Sequence, residues 1–382
     1  MHKKAPQPRR RSQSPRGRKA HSKPYVRSSR NPDEHLAPAP TPPHTLTWAL
    51  AIICAGLALA STAAGVVVAA TRDVSSGTEK GFCHGGASWQ PTAECMSSAH
   101  GLWGPVDSLH TFCEISYRDT SVVAEPFNAL GSLIYVGAGL FHLHSFKSTG
   151  RPVRWELLVQ VWVLIAVGLG SFLFHATMRY HMELLDELPM LAFMTSVLIQ
   201  FGATTGEGSK LEAAHPWFAS APNRAQTFAR CALAINGAAV CIYLTTHHFG
   251  FFVSAFTADV LALAVMVLSL YSKVSFVQML IWKAILEIIL ARVAWEAENH
   301  LCASSPWVWP LHNMWHLLSA GSAFDMIALS YYLRLECLGI SGVVDAGADE
   351  SDEDGDKSEL PHCRFIPWKC LPPISTVVRA RP

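Results

Sequence analysis

Long apolar runs separated by short polar turns fill the middle of the chain, while charged residues crowd its two ends. The first run extends from Leu46 to Ala70. Seven more follow at roughly 126–146, 155–177, 182–202, 225–248, 250–271, 275–298 and 307–334. At about 1.5 Å per helical residue each can cross a hydrocarbon core of roughly 30 Å. The pattern predicts an all-α polytopic membrane protein: a seven-helix transmembrane bundle with one additional N-terminal transmembrane span. A cleaved signal peptide has a shorter apolar region and a shorter charged leader, so the first run at 46–70 reads as a retained signal-anchor.

Composition agrees. Half the residues are apolar and 15% are charged, against about a quarter charged in soluble domains. The net charge of +1 averages a basic head with an acidic tail and so carries no information about partners. Residues 1–45 are rich in Arg, Lys, Ser and Pro and lack the side chains for a core, which predicts a disordered, basic cytosolic tail. A nucleic-acid arm fits poorly with the spans that follow. Residues 336–382 hold the run Asp349-Glu350-Ser351-Asp352-Glu353-Asp354 and read as an acidic cytosolic tail. Lys147, Arg151, Arg154, Lys210, Arg224 and Lys273 fall in loops on one side, whereas Arg179 is the clear basic residue on the other. The positive-inside rule then puts both termini in the cytosol and residues 71–124 across the membrane. Cys83, Cys95, Cys113 and Cys302 share that oxidising side, enough for two bridges, and the other cysteines are expected to be free.

Chemistry concentrates between Gly170 and Pro189, in the sequence GSFLFHATMRYHMELLDELP. Ser171 and His175 are four apart and share a helical face. Asp186 is expected to begin the next helix. Far downstream, His312-Asn313-Met314-Trp315-His316 gives a second i, i+4 pair at the mouth of an apolar run. The alternation of spans brings all of these to the same, non-cytosolic face. A catalytic zinc takes three protein ligands and keeps one position open, and His175, His312 and His316 supply three nitrogens. Asp186 could move a proton and Ser171 could donate to an oxyanion. Each residue also has a plainer reading. A lone membrane histidine is usually a packing group, Asp186 could be an interfacial charge, and Ser171 could bond back to its own helix.

At these residues the chain resembles the alkaline ceramidases, seven-span zinc amidohydrolases related to adiponectin-type receptors and GPI-lipid remodelling proteins. The family's Ser-x3-His and Asp-Glu-Leu-Pro stand here as Ser171–His175 and Asp186-Glu187-Leu188-Pro189, and its His-x3-His as His312–His316. The resemblance covers about residues 105–335; the first span and both tails lie outside it. It implies a membrane enzyme that cuts ceramide to a sphingoid base and a fatty acid, with Zn2+ on His175, His312 and His316 and with Ser171 and Asp186 assisting. The family's calcium-binding segment reads Thr111-Phe112-Cys113-Glu114-Ile115-Ser116-Tyr117, then Ala124-Glu125-Pro126-Phe127-Asn128. Glu114 and Glu125 keep their carboxylates, but Thr111 replaces an Asp and Ser116 an Asn. The resemblance therefore implies a Ca2+ site on Glu114, Ser116 and Glu125 that is weakened or absent. The family's Trp-x2-Asp-x3-Cys becomes Trp295–Cys302, and the resemblance pairs Cys302 with Cys113, leaving Cys83 for Cys95. The rival readings are an ester hydrolase remodelling GPI lipids or phospholipids, and a lipid receptor in which zinc is structural. Endoplasmic reticulum or Golgi is the expected membrane.

Overall fold

The structure is a computed structural model that describes residues 44–71, 100–148, 153, 155–204, 224–269, 275–302, 304–305 and 308–337. The basic head, the acidic tail, Cys83, Cys95 and the loop residues Arg151, Arg154, Lys210 and Lys273 lie outside the described residues. The elements are α1 (His44–Thr71), a hairpin of β1 (His100–Gly101) and β2 (Gly104–Pro105), and the short α2 (Pro126–Gly131). Then come α3 (Leu133–Ser148), α4 (Trp155–Thr177), α5 (Tyr180–Thr204), α6 (Arg224–Thr246), α7 (Phe249–Ser269), α8 (Ser275–Leu301) and α9 (Leu311–Cys337). Every expected span is a helix. The last begins at Leu311 where 307 was expected, because a short turn around Val308–Pro310 precedes it.

Among the described residues, six helices are long and apolar enough to cross a membrane: α1, α2 with α3, α4, α5, α6 and α7. Helix α8 carries several charges, and α9 holds Asp325 among histidines, serines and other polar residues. Those charges are paired, as membrane burial requires. Lys283 Nζ lies 2.7 Å from Asp325 Oδ2 on α9 and 2.6 Å from Glu287 Oε1, and Arg292 pairs with Glu296 at 2.5 Å. The outer face of α8 still presents Trp282, Leu286, Ile289 and Val293.

The first helix is more than an anchor. Ala51, Ala58, Ser61, Thr62 and Gly65 form its buried stripe, and they are all small. Small residues let two backbones approach, which is how membrane helices associate where lipid offers no hydrophobic drive. Gly137 of α3 faces that stripe: a Cβ there would lie 3.0 Å from Ala55 N and 3.1 Å from Ala51 O. Gly65 lies beneath the Trp309 ring in the same way, and Ser61 Oγ donates to the Phe127 carbonyl at 2.9 Å. Leu50, Ile52, Ile53, Leu57 and Val66 point outward.

The main core runs through α3, α4, α5 and α9, with contributions from α7 and α8; Val161, Val197, Phe201, Ile281 and Ile327 are fully buried. Helices α7 and α8 touch only slightly. A cavity of ≈ 210 Å³ lies between them and the core, its wall almost wholly apolar, with Leu164, Met190, Phe256, Ile288 and Met326 in the lining.

The α1–α3 contact makes a clear prediction. Gly137→Leu should lower the thermal stability of the detergent-solubilised protein by about 1–3 kcal/mol through overpacking. Ile52→Ala, at an outward position, should leave the melting temperature unchanged.

Candidate metal centre

The centre begins with a close crossing of α4 and α5. Pro189 has no N–H, so the Leu185 carbonyl one turn earlier loses its helical donor. Gly170 of α4 packs directly against that carbonyl; a Cβ there would sit 1.8 Å from Leu185 O. Only glycine fits. The next residue on each helix is then brought toward its counterpart, with Ser171 and Asp186 facing one another across the crossing. Ser132, at the start of α3, adds its Oγ 3.0 Å from Ser171 Oγ. Helix α5 starts at Tyr180, so Asp186 lies in its second turn and not at its beginning, contrary to the sequence expectation. An acid placed that far inside is buried, beside the likewise buried Ser171.

Helix α4 closes at Met178, which takes a left-handed conformation (φ 53°) and donates its N–H to Phe174 O. Its fully buried side chain, packed on Val106, Ala124 and Phe174, holds that turn. The preceding segment runs beside the helix end, with Ala124 N–H and Glu125 N–H donating to the carbonyls of Ala176 and His175 at 2.9 Å each.

His175, His312 and His316 converge as the spacing suggested. All three are buried, and one nitrogen from each lies within 4.8 Å of the others. His175 Nε2 and His312 Nε2 are 3.2 Å apart. Each of those two rings is held from behind. His175 Nδ1 lies 2.8 Å from Glu125 Oε2, and His312 Nδ1 lies 3.1 Å from Glu298 Oε2. A carboxylate only accepts, so each Nδ1 carries the proton and each Nε2 presents a lone pair. Two lone pairs that close repel unless a cation lies between them. Tetrahedral zinc with bonds of 2.0–2.1 Å would separate its nitrogens by about 3.3 Å, which the His175–His312 separation matches. His316 Nε2 is 3.5 Å from Ser132 Oγ. Phe112 covers the group, its ring centroid 4.7 Å from that of His175 and 4.0 Å from that of His312.

A chamber of ≈ 50 Å³ opens beside these rings, with His312, His316 and Asp186 in its wall together with His110, Glu187 and Arg292. Tyr135, Met190, Phe256 and Trp315 line both this chamber and the larger apolar cavity, so the polar centre stands at the head of an apolar space.

The segment expected to hold calcium is organised differently. Glu114 gives its two oxygens to the N–H groups of Phe127 and Asn128, each at 2.9 Å, and so caps α2 from outside its own strand of chain. Burial pushes the Glu114 carboxyl up to about 8, against the pull of those two donors. Glu125 Oε2 serves His175 and Asn128 Nδ2, and Ser116 bonds to Glu125. The oxygens left without a hydrogen-bond partner are Glu125 Oε1 and Asn128 Oδ1. With Thr111 and Ser116 in place of a carboxylate and an amide, the segment offers calcium two carboxylates, those of Glu114 and Glu125.

The Cys113–Cys302 disulfide is present, joining this segment to the end of α8. Cys54, Cys231 and Cys241 are free, as expected of cysteines in helices. Sequence reading missed Ser132, His110, the orienting roles of Glu125 and Glu298, and the cover supplied by Phe112. An acid within the apolar run of α8 was the signal that pointed to Glu298.

The α4–α5 crossing generates a second prediction. Gly170→Ala must push Leu185 away and part Ser171 from Asp186. Turnover of the natural substrate should fall at least about tenfold, with about 1–3 kcal/mol of stability lost to overpacking. Unchanged turnover in a kinetic assay would disconnect the crossing from the chemistry.

Comparison with known proteins gives this arrangement a context. The Ceramidase family profile matches residues 104–341. The chain is 36% identical over 91 residues to alkaline ceramidase 3 of Mus musculus, covering 24% of this chain and 33% of that protein. It is 35% identical over 98 residues to alkaline ceramidase YPC1 of Saccharomyces cerevisiae (26% and 30%), and 39% over 88 residues to the alkaline ceramidase of Drosophila melanogaster (23% and 29%). The matched stretches thus span about a third of each relative's length. With a profile match across well over half of its residues, the chain belongs to the Ceramidase family.

Proposed function

We propose that the protein hydrolyses the amide bond of ceramide with the help of a zinc ion on His175, His312 and His316, releasing a sphingoid base and a free fatty acid. One observation carries the reading: three imidazole nitrogens converge beside a Ser171–Asp186 pair at the head of an apolar cavity. Bound there, zinc would polarise the amide carbonyl and bring the pKa of a water to about 7. Asp186 takes the proton of the attacking water and returns it to the departing amine. Ser171, beside Asp186, is placed to turn its hydroxyl toward the carbonyl oxygen as negative charge develops. Glu125 and Glu298 keep the two Nδ1 protons in place, so that both Nε2 lone pairs stay directed inward. Phe112 keeps bulk water from the rings. The apolar cavity takes hydrocarbon chain, since ligand sites in bundles lie between helices.

Topology follows the same reading. The centre faces the non-cytosolic side of an endoplasmic reticulum or Golgi membrane, with both termini in the cytosol. The Cys113–Cys302 bond beside the histidines supports this, because disulfides persist on the oxidising side. The catalytic region is residues 105–335, preceded by the span at 46–70 and flanked by tails at 1–45 and 336–382.

Release of sphingoid base from ceramide by the purified full chain tests the function, beside a His316→Ala variant and a phospholipid ester substrate. Amide cleavage is expected, reduced at least about a hundredfold in the variant, since loss of a ligand removes the metal's contribution. Chelation of zinc should abolish it, and added zinc should restore it. Ester cleavage alone would assign the protein to lipid remodelling. Stoichiometric zinc without turnover of either substrate would leave a structural or receptor role.

A further inference from the structure

We propose that Glu298 is a positioning residue for the metal centre: it fixes the ring of His312 and couples that ring to the disulfide-anchored segment ahead of α2. The inference rests on reading the three histidines as a metal site. Glu298 lies in the last turn of α8 and is fully buried. Its two oxygens are divided between separate partners. Oε2 accepts from His312 Nδ1–H at 3.1 Å, and Oε1 accepts from the Cys113 N–H at 2.8 Å. One helical turn later, Cys302 donates its N–H to the Glu298 carbonyl at 3.0 Å and is bonded through sulfur to Cys113. A closed circuit results: from the Glu298 carboxylate to the Cys113 backbone, across the disulfide to Cys302, and back along α8 to Glu298. With one oxygen held by that circuit, the plane of the carboxylate is set, and the second oxygen is aimed at the imidazole.

His312 needs such a hold. It is the second residue of α9, at a helix end, where the body of its own helix restrains the ring least. A ring rotated about its Cβ–Cγ bond would turn Nε2 away from His175 Nε2, now 3.2 Å distant. No water in a buried, apolar setting can take the place of the carboxylate. His175 is held in a parallel way by Glu125, whereas His316 Nδ1 has no hydrogen-bond partner among the described residues. The two outer carboxylates thus carry the orientation of two of the three ligands, and only Glu298 is also coupled to the covalent bridge.

Glu298→Gln in the full chain tests this. The amide keeps the shape of the side chain, yet its oxygen can serve only one N–H while its NH2 opposes the other. Zinc affinity, measured by competition with a chromophoric chelator, should fall by about 10–100-fold, the usual effect of losing a hydrogen-bond partner behind a ligating histidine. With cobalt in place of zinc, the visible ligand-field bands should shift. The melting temperature of the metal-free protein should fall only modestly, by less than the loss in zinc-binding free energy, since one buried N–H is left opposed. As a second measurement, reducing the Cys113–Cys302 bond in the native protein should also weaken zinc binding, since the Cys113 N–H is then released. Native affinity and an unchanged cobalt spectrum in Glu298→Gln would overturn the inference. So would an affinity loss matched by an equal fall in metal-free stability, which would make Glu298 a part of the segment's architecture alone. If the variant fails to fold, zinc affinity indifferent to reduction overturns it. A native protein that binds zinc without cleaving ceramide removes the proposed function and leaves this inference supported by the affinity ratio. A native protein that binds no zinc overturns both.

Discussion

A carboxylate taken out of water must find donors, and at one end of this bundle four of them, with the partly exposed Asp107 beside them, find theirs in backbone N–H groups, imidazoles and one guanidinium. Asp107 takes the Tyr180 N–H and the Arg179 guanidinium. Glu183 takes the N–H groups of Leu109 and His110, and Glu114 those of Phe127 and Asn128. Glu125 and Glu298 take the Nδ1 protons of His175 and His312. An irregular segment that forms almost no secondary structure is thereby pinned across the helix ends. Leaving any one such group unpaired would cost about 1–3 kcal/mol or more, so the segment and the ring orientations are settled together.

The helices were legible because lipid imposes a simple rule: a span must be long and apolar. Helices α8 and α9 fall outside that rule, and their charges are matched instead: Lys283 finds Asp325 and Glu287, and Arg292 finds Glu296. The pairs Ser171/His175 and His312/His316 were legible from i, i+4 spacing, which survives folding unchanged, and Asp186 from its place at the mouth of the next apolar run. Glu298 and Ser132 were not. Their partners lie 185 and 39 residues away, at Cys113 and Ser171, and no local period encodes that. Reading Glu114 as an expected calcium ligand was reasonable on residue type. The structure employs it to cap α2, because Glu125 stands at that helix's N-cap without making the bond itself.

The first helix shows the limit of hydropathy from another side. By composition it is an anchor, and its outward face agrees. Its buried stripe of Ala51, Ala58, Ser61 and Gly65 follows a helical period of small residues, which hydropathy scores as merely apolar. Through Ser61 it touches Phe127, whose N–H Glu114 holds, so α1 is one contact removed from the carboxylate network. The added span is part of the scaffold on which the centre rests.

The central claim is that three imidazoles from two helices hold one zinc ion. X-ray absorption at the zinc edge of the purified protein tests it most directly. The account predicts one zinc per chain with three nitrogen neighbours and one oxygen at about 2.0–2.1 Å, and outer-shell scattering from imidazole rings. Sulfur neighbours at about 2.3 Å, or zinc below stoichiometry after purification without chelators, would contradict it.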